Sequence, residues 1–100
     1  MPIFSISVVP LGTENTSLSN HVAKAIKILE SEKEITYQLT AMGTIIEGKS
    51  IDKLLAVCKR MHDSVFTDNI KRVLTTIKID DRRDKEGTIK KKIASVEDKL

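Results

Sequence analysis

The chain opens with an alternation of apolar and polar positions. Phe4, Ile6 and Val8 alternate with serines over residues 2–10, so the pattern predicts a strand, which Pro10 and Gly12 end. Helical and strand periods then follow each other along the sequence. They predict a helix over 17–32, strands over 34–41 and 44–48, a helix over 51–67, a strand over 70–80 and a helix over 88–99.

Turn and cap residues separate these segments. Met42 and Gly43 predict a tight turn, so residues 34–48 are expected to form a β-hairpin. Ser50 is the expected N-cap of the second helix, and Thr16 or Ser17 that of the first. The second helix carries an apolar stripe of Ile51, Leu54, Leu55, Cys58, Met61 and Val65. The last helix carries Ile89, Ile93 and Val96 on its apolar side.

The predicted order is βαββαβ followed by a helix, which indicates an α+β, ferredoxin-like sandwich with an additional C-terminal helix. The length of 100 residues favours one domain over residues 1–100. Two helices cover one face of such a sheet, and the other face stays open. The open face is predicted to carry Ser5, Ser7, Gln38, Thr40, Arg72, Leu74, Thr76 and Lys78. Its mixed character favours burial against another subunit, or partial cover by the last helix.

Composition excludes several classes of protein. The chain is 40% hydrophobic and 31% charged, which is the balance of a globular protein. No apolar run is long enough to span a membrane, and no signal peptide is visible, so we expect a cytoplasmic protein. The net charge is +3, but acids interleave with the basic residues and aromatics are few, which argues against nucleic-acid binding.

Few residues offer catalytic or metal chemistry. One cysteine and two histidines are too few for a cysteine-based metal cage or a zinc site, so no metal is expected. His62 follows Cys58 by four residues, but no third group is present to orient such a pair. We therefore predict no catalytic residues and no enzyme. The run 80–85, with its alternating signs, predicts a network of salt bridges that fixes a loop or joins subunits.

Three segments together resemble the thiamine-binding protein family, and the resemblance extends from Pro2 to Leu100. They are Val-Pro-Leu-Gly-Thr at 9–13, Thr-Ala-Met-Gly-Thr-Ile-Ile-Glu-Gly at 40–48, and Thr-Thr-Ile-Lys-Ile-Asp-Asp-Arg-Arg-Asp-Lys at 75–85. The resemblance implies a ferredoxin-like fold. It also implies dimers that pair into tetramers through the sheet faces, and non-catalytic binding of thiamine or its hydroxymethylpyrimidine moiety. No other cofactor is expected.

Such a ligand directs attention to a few residues of the hairpin and to one threonine of the predicted strand 70–80. The Glu47 carboxylate can accept a hydrogen bond from the amine of an aminopyrimidine; otherwise it is an exposed acid at a strand end. Met42 can lie against a flat ring or fill a gap at a turn or interface, and Gly43 fits either a turn or a ligand contact. The hydroxyls that can donate and accept belong to Thr40, Thr44 and Thr76, although each threonine also suits a strand without a ligand.

Two basic residues on the open face have two interpretations. Arg72 and Lys78 can hold an anion such as a phosphate ester, or they can form intersubunit ion pairs with Asp80 or Glu47. Two functions therefore remain for the whole chain. The first is a small-molecule binder with a pocket against the sheet, at or near a subunit interface. The alternative is an oligomeric interaction or regulatory module without a ligand.

Overall fold

The computed structural model describes residues 1–12 and 19–100, and its elements follow the predicted order. Their bounds are β1 (Ile3–Leu11), α1 (Ser19–Glu30), β2 (Thr36–Thr40), β3 (Gly43–Glu47), α2 (Ile51–Ser64), β4 (Arg72–Asp80) and α3 (Ile89–Glu97). The predicted start of the first helix and its cap at Thr16 or Ser17 lie outside the described residues. Ser50 caps α2 as predicted, and Thr88 caps α3.

The four strands form one antiparallel sheet in the order β2-β3-β1-β4. β1 is internal, since Phe4 pairs with Ile46 of β3 on one side and with Ile79 of β4 on the other. Buried residues of α1 and α2, such as Leu29 and Leu54, pack against the same face of this sheet. The ferredoxin-like α+β fold with an additional C-terminal helix is therefore confirmed.

The register also confirms how the residues of β4 divide between the two faces. Ile77 pairs with core-facing Ile6, whereas Leu74 pairs with Val9 and Thr76 with Ser7 on the opposite face. We call that opposite face, which α1 and α2 do not cover, the open face. Successive side chains of a strand point to opposite faces, so the register assigns every residue of β4 to one face or the other.

β1 continues past the proline that was predicted to end it. Pro10 pairs with Val73 and Leu11 pairs with Arg72, so Pro10 does not end the strand, which stops directly before Gly12. The pairing of β1 with β3 reaches only as far as Ile6. Beyond that point no strand among residues 1–12 and 19–100 pairs with that side of β1, and a residue without an N–H is tolerated there.

The hairpin turn lies one residue earlier than predicted. Thr40 pairs with Gly43, so Ala41 and Met42 form the turn and Gly43 is the first residue of β3. Gly43 has a φ of +151°, and a Cβ built on it would lie 2.9 Å from the carbonyl oxygen of Ile6. Glycine is required here because the backbone of β1 approaches closely, as well as for its conformation.

The buried stripe of α2 differs from the predicted one at Leu55 and Val57. Leu54, Val57, Cys58 and Met61 are buried, whereas Leu55 is 42% exposed. Spacings of three and four residues connect the four buried residues, which places them on one side of the helix. Leu55 lies at the edge of that side. The prediction that Leu55 belongs to the core stripe is therefore wrong.

α3 lies against the open face and contributes nothing to the core. Its apolar residues remain accessible; Ile93 is 43% exposed and Val96 is 61% exposed, and no residue of α3 is buried. Two polar contacts connect it to the sheet: Glu47 accepts from the backbone N–H of Ile89, and Lys92 pairs with Asp80. Within the chain, α3 thus covers the open face only at the end that holds Glu47 and Asp80, while Leu74 and Thr76 remain exposed.

Candidate functional site

A cavity of about 330 Å³ lies between α1 and the end of the sheet at which the β2–β3 hairpin turns. We call it the hairpin cavity. Its lining comprises residues 6–9 of β1, residues 39–44 of the hairpin, Val22, Ala25 and Ile26 of α1, and Met61 of α2. Four of the six predicted ligand-binding residues therefore surround one space: Thr40, Met42, Gly43 and Thr44.

Thr44 is the polar residue that the fold turns inward. It pairs with Ile6, points to the helical side of the sheet and is 4% exposed. Its hydroxyl makes no hydrogen bond with any other residue that the structure describes, yet the oxygen is not sealed away from the surface. A hydroxyl in this position can both donate and accept, so it is available to a molecule in the cavity.

The other three hairpin residues have structural roles as well. The hydroxyl of Thr40 donates to the carbonyl oxygen of Gly43 at 2.7 Å and accepts from the N–H of Met42 at 3.2 Å. This arrangement closes the turn locally. Met42 is 88% exposed and stands at the rim of the hairpin cavity. Its flexible thioether is therefore placed to cover an occupant rather than to form the floor.

Glu47 lies apart from these residues, at the other end of β3 and on the open face. Three positions separate it from Thr44, and an odd spacing puts two strand residues on opposite faces. Its Oε2 accepts the backbone N–H of Ile89 at 2.7 Å. Glu47 lines a second space of about 430 Å³ between the open face and α3, the α3 cavity. Its other described lining residues are Thr36, Tyr37, Gln38, Ile89, Lys90, Ile93, Ala94 and Glu97.

The remaining predicted residues lie on the open face of β4. Thr76 pairs with Ser7 and lines neither the hairpin cavity nor the α3 cavity. Arg72 and Lys78 are exposed on the same face. Six residues of strand separate them, or roughly 20 Å, so a small anion would contact only one of the two. Their expected carboxylate partners are engaged within the chain: Asp80 by Lys92, and Glu47 by the start of α3.

The charged loop after β4 contains the ion pairs that its sequence predicted. Arg82 donates to both carboxylate oxygens of Asp84, at 2.6 and 3.0 Å, and Arg83 donates to Asp81 at 2.8 Å. The hydrogen bond from Arg82 lowers the pKa of Asp84. Three of the four side chains are largely accessible to water, and that of Asp81 is less so. Each pair therefore contributes little to stability.

Cys58 and His62 do not form a pair. Cys58 is buried in the core of α2, and burial raises the pKa of its thiol to about 11. A thiol with so high a pKa is a poor nucleophile at neutral pH. The Nδ1 atom of His62 lies 2.6 Å from the hydroxyl oxygen of Thr75, and its ring meets Phe66 edge-on.

Two further properties apply to residues 1–12 and 19–100. No group of three His, Cys, Asp or Glu side chains is arranged there to hold a metal ion. None of the helices in those ranges has the length and apolar character needed to cross a membrane.

Sequence reasoning missed the helical walls of the hairpin cavity. Val22, Ala25 and Ile26 recur at helical spacing, which predicts only that they face the core. It does not show that the core is incompletely filled beside the hairpin. The contact between Glu47 and α3 was also missed, because no local pattern connects residues so distant in sequence.

Comparison with known proteins places this architecture among related chains. The sequence model of the family described as thiamine-binding protein matches residues 4–97. The UPF0045 protein YqgV of Bacillus subtilis (strain 168) is 48% identical over 99 residues, which cover 96% of this chain and 94% of the relative. A UPF0045 protein of Methanothermobacter thermautotrophicus is 40% identical over 95 residues and covers 95% of each chain. The crystal structure of hypothetical protein MJ1052 from Methanocaldococcus jannaschii superposes with a TM-score of 0.86 at 35% identity, covering 96% of this chain and 95% of that one.

Proposed function

Because the chain belongs to the thiamine-binding protein family, we propose that it is a non-catalytic protein that binds thiamine, or the hydroxymethylpyrimidine part of thiamine, in the hairpin cavity. The observation that carries this proposal is the position of Thr44. Its hydroxyl, which makes no hydrogen bond to any other described residue, faces a largely apolar space whose volume lies within the range of small-molecule sites, roughly 300–1,000 Å³.

The lining suits a flat heteroaromatic ring. Val22 and Ile26 of α1 and Leu39 of β2 provide apolar surface, and the ring of an aminopyrimidine would displace water from it. The amine and ring nitrogens then need a few polar partners. Thr44 supplies one, and backbone groups just beyond the last β1–β3 pair, Ile6 with Thr44, border the same cavity and are candidates for the others.

Non-catalytic binding also agrees with the environment of the nucleophile and base candidates. Cys58 is buried with a pKa near 11, and His62 is hydrogen-bonded to Thr75 on the side of α2 that meets β4. A catalytic pair requires a nucleophile and a base in mutual contact within one cleft.

A homo-oligomer built through the open face is the second part of the proposal. Leu74 is 57% exposed there, and the exposed apolar side chains of α3 lie beside the same face. Exposed apolar surface of this kind favours association. It also supports the second candidate function, an oligomeric interaction module without a ligand. Measuring the mass in solution by light scattering tests the association, and a monomer at micromolar concentration would refute it.

Calorimetric titration of hydroxymethylpyrimidine and of thiamine into the purified protein tests the ligand. Saturable binding near one ligand per subunit is expected. No heat and no thermal shift with either compound, in a well-defined oligomer, would reject the binder and leave the interaction module.

Three near-isosteric variants then locate the site. Thr44→Val removes the hydroxyl in the hairpin cavity, Glu47→Gln removes the charge in the α3 cavity, and Thr76→Val alters the open face of β4. We expect Thr44→Val to weaken binding by about fivefold, the effect of one hydrogen bond of about 1 kcal/mol. If only Glu47→Gln weakens binding, the ligand binds in the α3 cavity instead. If only Thr76→Val weakens binding, the ligand binds on the open face.

A further inference from the structure

We infer that the hairpin cavity selects the uncharged pyrimidine alcohol over its phosphate ester, a selectivity that rests on the proposed function of this cavity. The inference comes from the electrostatic character of the walls. Hydroxymethylpyrimidine offers a flat ring, an amine, ring nitrogens and a hydroxyl. Its phosphate ester adds two negative charges close to the ring.

Every described side chain that lines the hairpin cavity is uncharged. The walls consist of aliphatic side chains and two methionines, Met42 and Met61, and the polar side chains are those of Thr40 and Thr44. Ser7 also borders the cavity, but its side chain belongs to the open face. The described walls thus provide hydroxyl groups rather than a cation.

An uncharged cavity discriminates by the cost of removing water. A phosphate dianion is strongly hydrated, and burying it without a cationic partner is far more costly than burying a neutral hydroxyl. Sites that hold phosphate groups supply arginine, lysine or a set of converging backbone amides. The hydroxyl of Thr44 can donate one hydrogen bond, which does not replace the shell of water around the ester.

The same reasoning orients thiamine itself. Its pyrimidine ring is the part that suits the interior, and its positively charged thiazolium ring has no carboxylate among the described walls. The thiazolium ring is therefore placed at the rim near Met42, where water remains in contact with the charge. A phosphate on the far end of thiamine would then lie outside the cavity and have little effect.

One feature near the cavity would favour the ester instead. α1 begins at Ser19, one turn before Val22, and a helix N-terminus attracts anions. The two compounds must therefore be compared directly.

The test is calorimetric titration of the intact protein with hydroxymethylpyrimidine and with hydroxymethylpyrimidine phosphate at one ionic strength. We expect the ester to bind at least about tenfold more weakly than the alcohol. Thiamine and thiamine monophosphate are expected to bind with similar affinities. Equal or tighter binding of the pyrimidine ester would overturn the selectivity while leaving the proposed function intact. Failure of all four compounds to bind would reject the proposed function itself.

A matched pair of variants at the rim tests the electrostatic cause. Met42→Lys brings an ammonium group to the mouth of the cavity, and Met42→Gln changes polarity at similar size without adding charge. The quantity to compare is the ratio of ester affinity to alcohol affinity. We expect this ratio to rise at least about fivefold in Met42→Lys and to stay near the parent value in Met42→Gln. An equal ratio in both variants would show that charge does not set the preference.

Discussion

The backbone N–H of Ile89 donates a 2.7 Å hydrogen bond to Oε2 of Glu47, which connects the first residue of α3 to the last residue of β3. The carboxylate satisfies one of the amides that a helix start leaves unpaired, and its negative charge suits the positive end of the helix dipole. Since α3 buries no side chain of its own, this contact is expected to govern how firmly the helix is held.

Replacing Glu47 should therefore loosen α3 before it affects the sheet. We expect Glu47→Ala to raise amide hydrogen exchange in residues 90–97 by several-fold, for a local cost of about 1 kcal/mol. Glu47→Gln keeps an oxygen acceptor and should have a smaller effect. Unchanged exchange in Glu47→Ala would show that α3 is held by other contacts.

Two glycines with positive φ provide a controlled test of close packing. A Cβ on Gly43 would lie 2.9 Å from the carbonyl oxygen of Ile6, whereas a Cβ on Gly12 would meet nothing within 4 Å. We expect Gly12→Ala to lower the free energy of unfolding by about 1 kcal/mol, the conformational cost alone. Gly43→Ala should cost about 1–3 kcal/mol more, measured by urea denaturation, because β3 must move away from β1. Equal losses in both variants would show that the contact with Ile6 relaxes freely.

The contact between His62 and Thr75 joins α2 to β4. The histidine Nδ1 and the threonine hydroxyl oxygen lie 2.6 Å apart and are partly buried. Thr75→Val leaves the histidine nitrogen without this partner, and we expect a loss of about 1 kcal/mol in the free energy of unfolding. Thr75→Ser keeps the hydroxyl and serves as the control. If Thr75→Ser lowers the free energy of unfolding as much as Thr75→Val does, the effect comes from the methyl group instead.

The buried thiol of Cys58 predicts a loss of stability in alkali. Burial raises its pKa from 9.0 to about 11. Between these values the unfolded chain releases the proton while the folded chain retains it. The free energy of unfolding should therefore fall as the pH rises through this range, by at most about 3 kcal/mol.

Alkaline pH also affects folding in other ways, so the comparison must be with Cys58→Ala. We expect the variant to be less stable at neutral pH because of the cavity it creates. It should nevertheless lose less stability than the parent between about pH 8 and about pH 10.5. Parallel pH profiles for the two proteins would assign the whole decline to other groups.

Some parts of the fold follow from the alternation of apolar and polar residues along a strand or from their spacing along a helix. These parts were predictable from the sequence. The alternation around Leu74 and Thr76 assigned the open face of β4 correctly, since one register satisfies the whole strand. The stripe of α2 was less certain, because Leu54 and Leu55 are equally apolar. Packing against the sheet, which buries Leu54 and leaves Leu55 at the side, decides between them.

The candidate site was predictable only in part. Thr40, Met42, Gly43 and Thr44 are neighbours in sequence, so finding them around one cavity required only a hairpin. Glu47 belongs to the same segment, but the pleat of β3 carries it to the other face, where α3 meets it. Long-range contacts of this kind have no local signature, and neither does an unfilled space between α1 and the sheet.

The central position of β1 has a consequence for synthesis of the chain. Its two partners are β3 and β4, and Ile3 completes its pairing only when Asp80 is available. On its β4 side, the segment with Phe4, Ile6 and Val8 thus stays unpaired until residues 72–80 have also emerged from the ribosome. Apolar β-forming segments in that state are prone to aggregate, and pairings over such long sequence separations form slowly. Mutations that weaken β4 should therefore reduce the yield of folded protein more than their effect on equilibrium stability indicates.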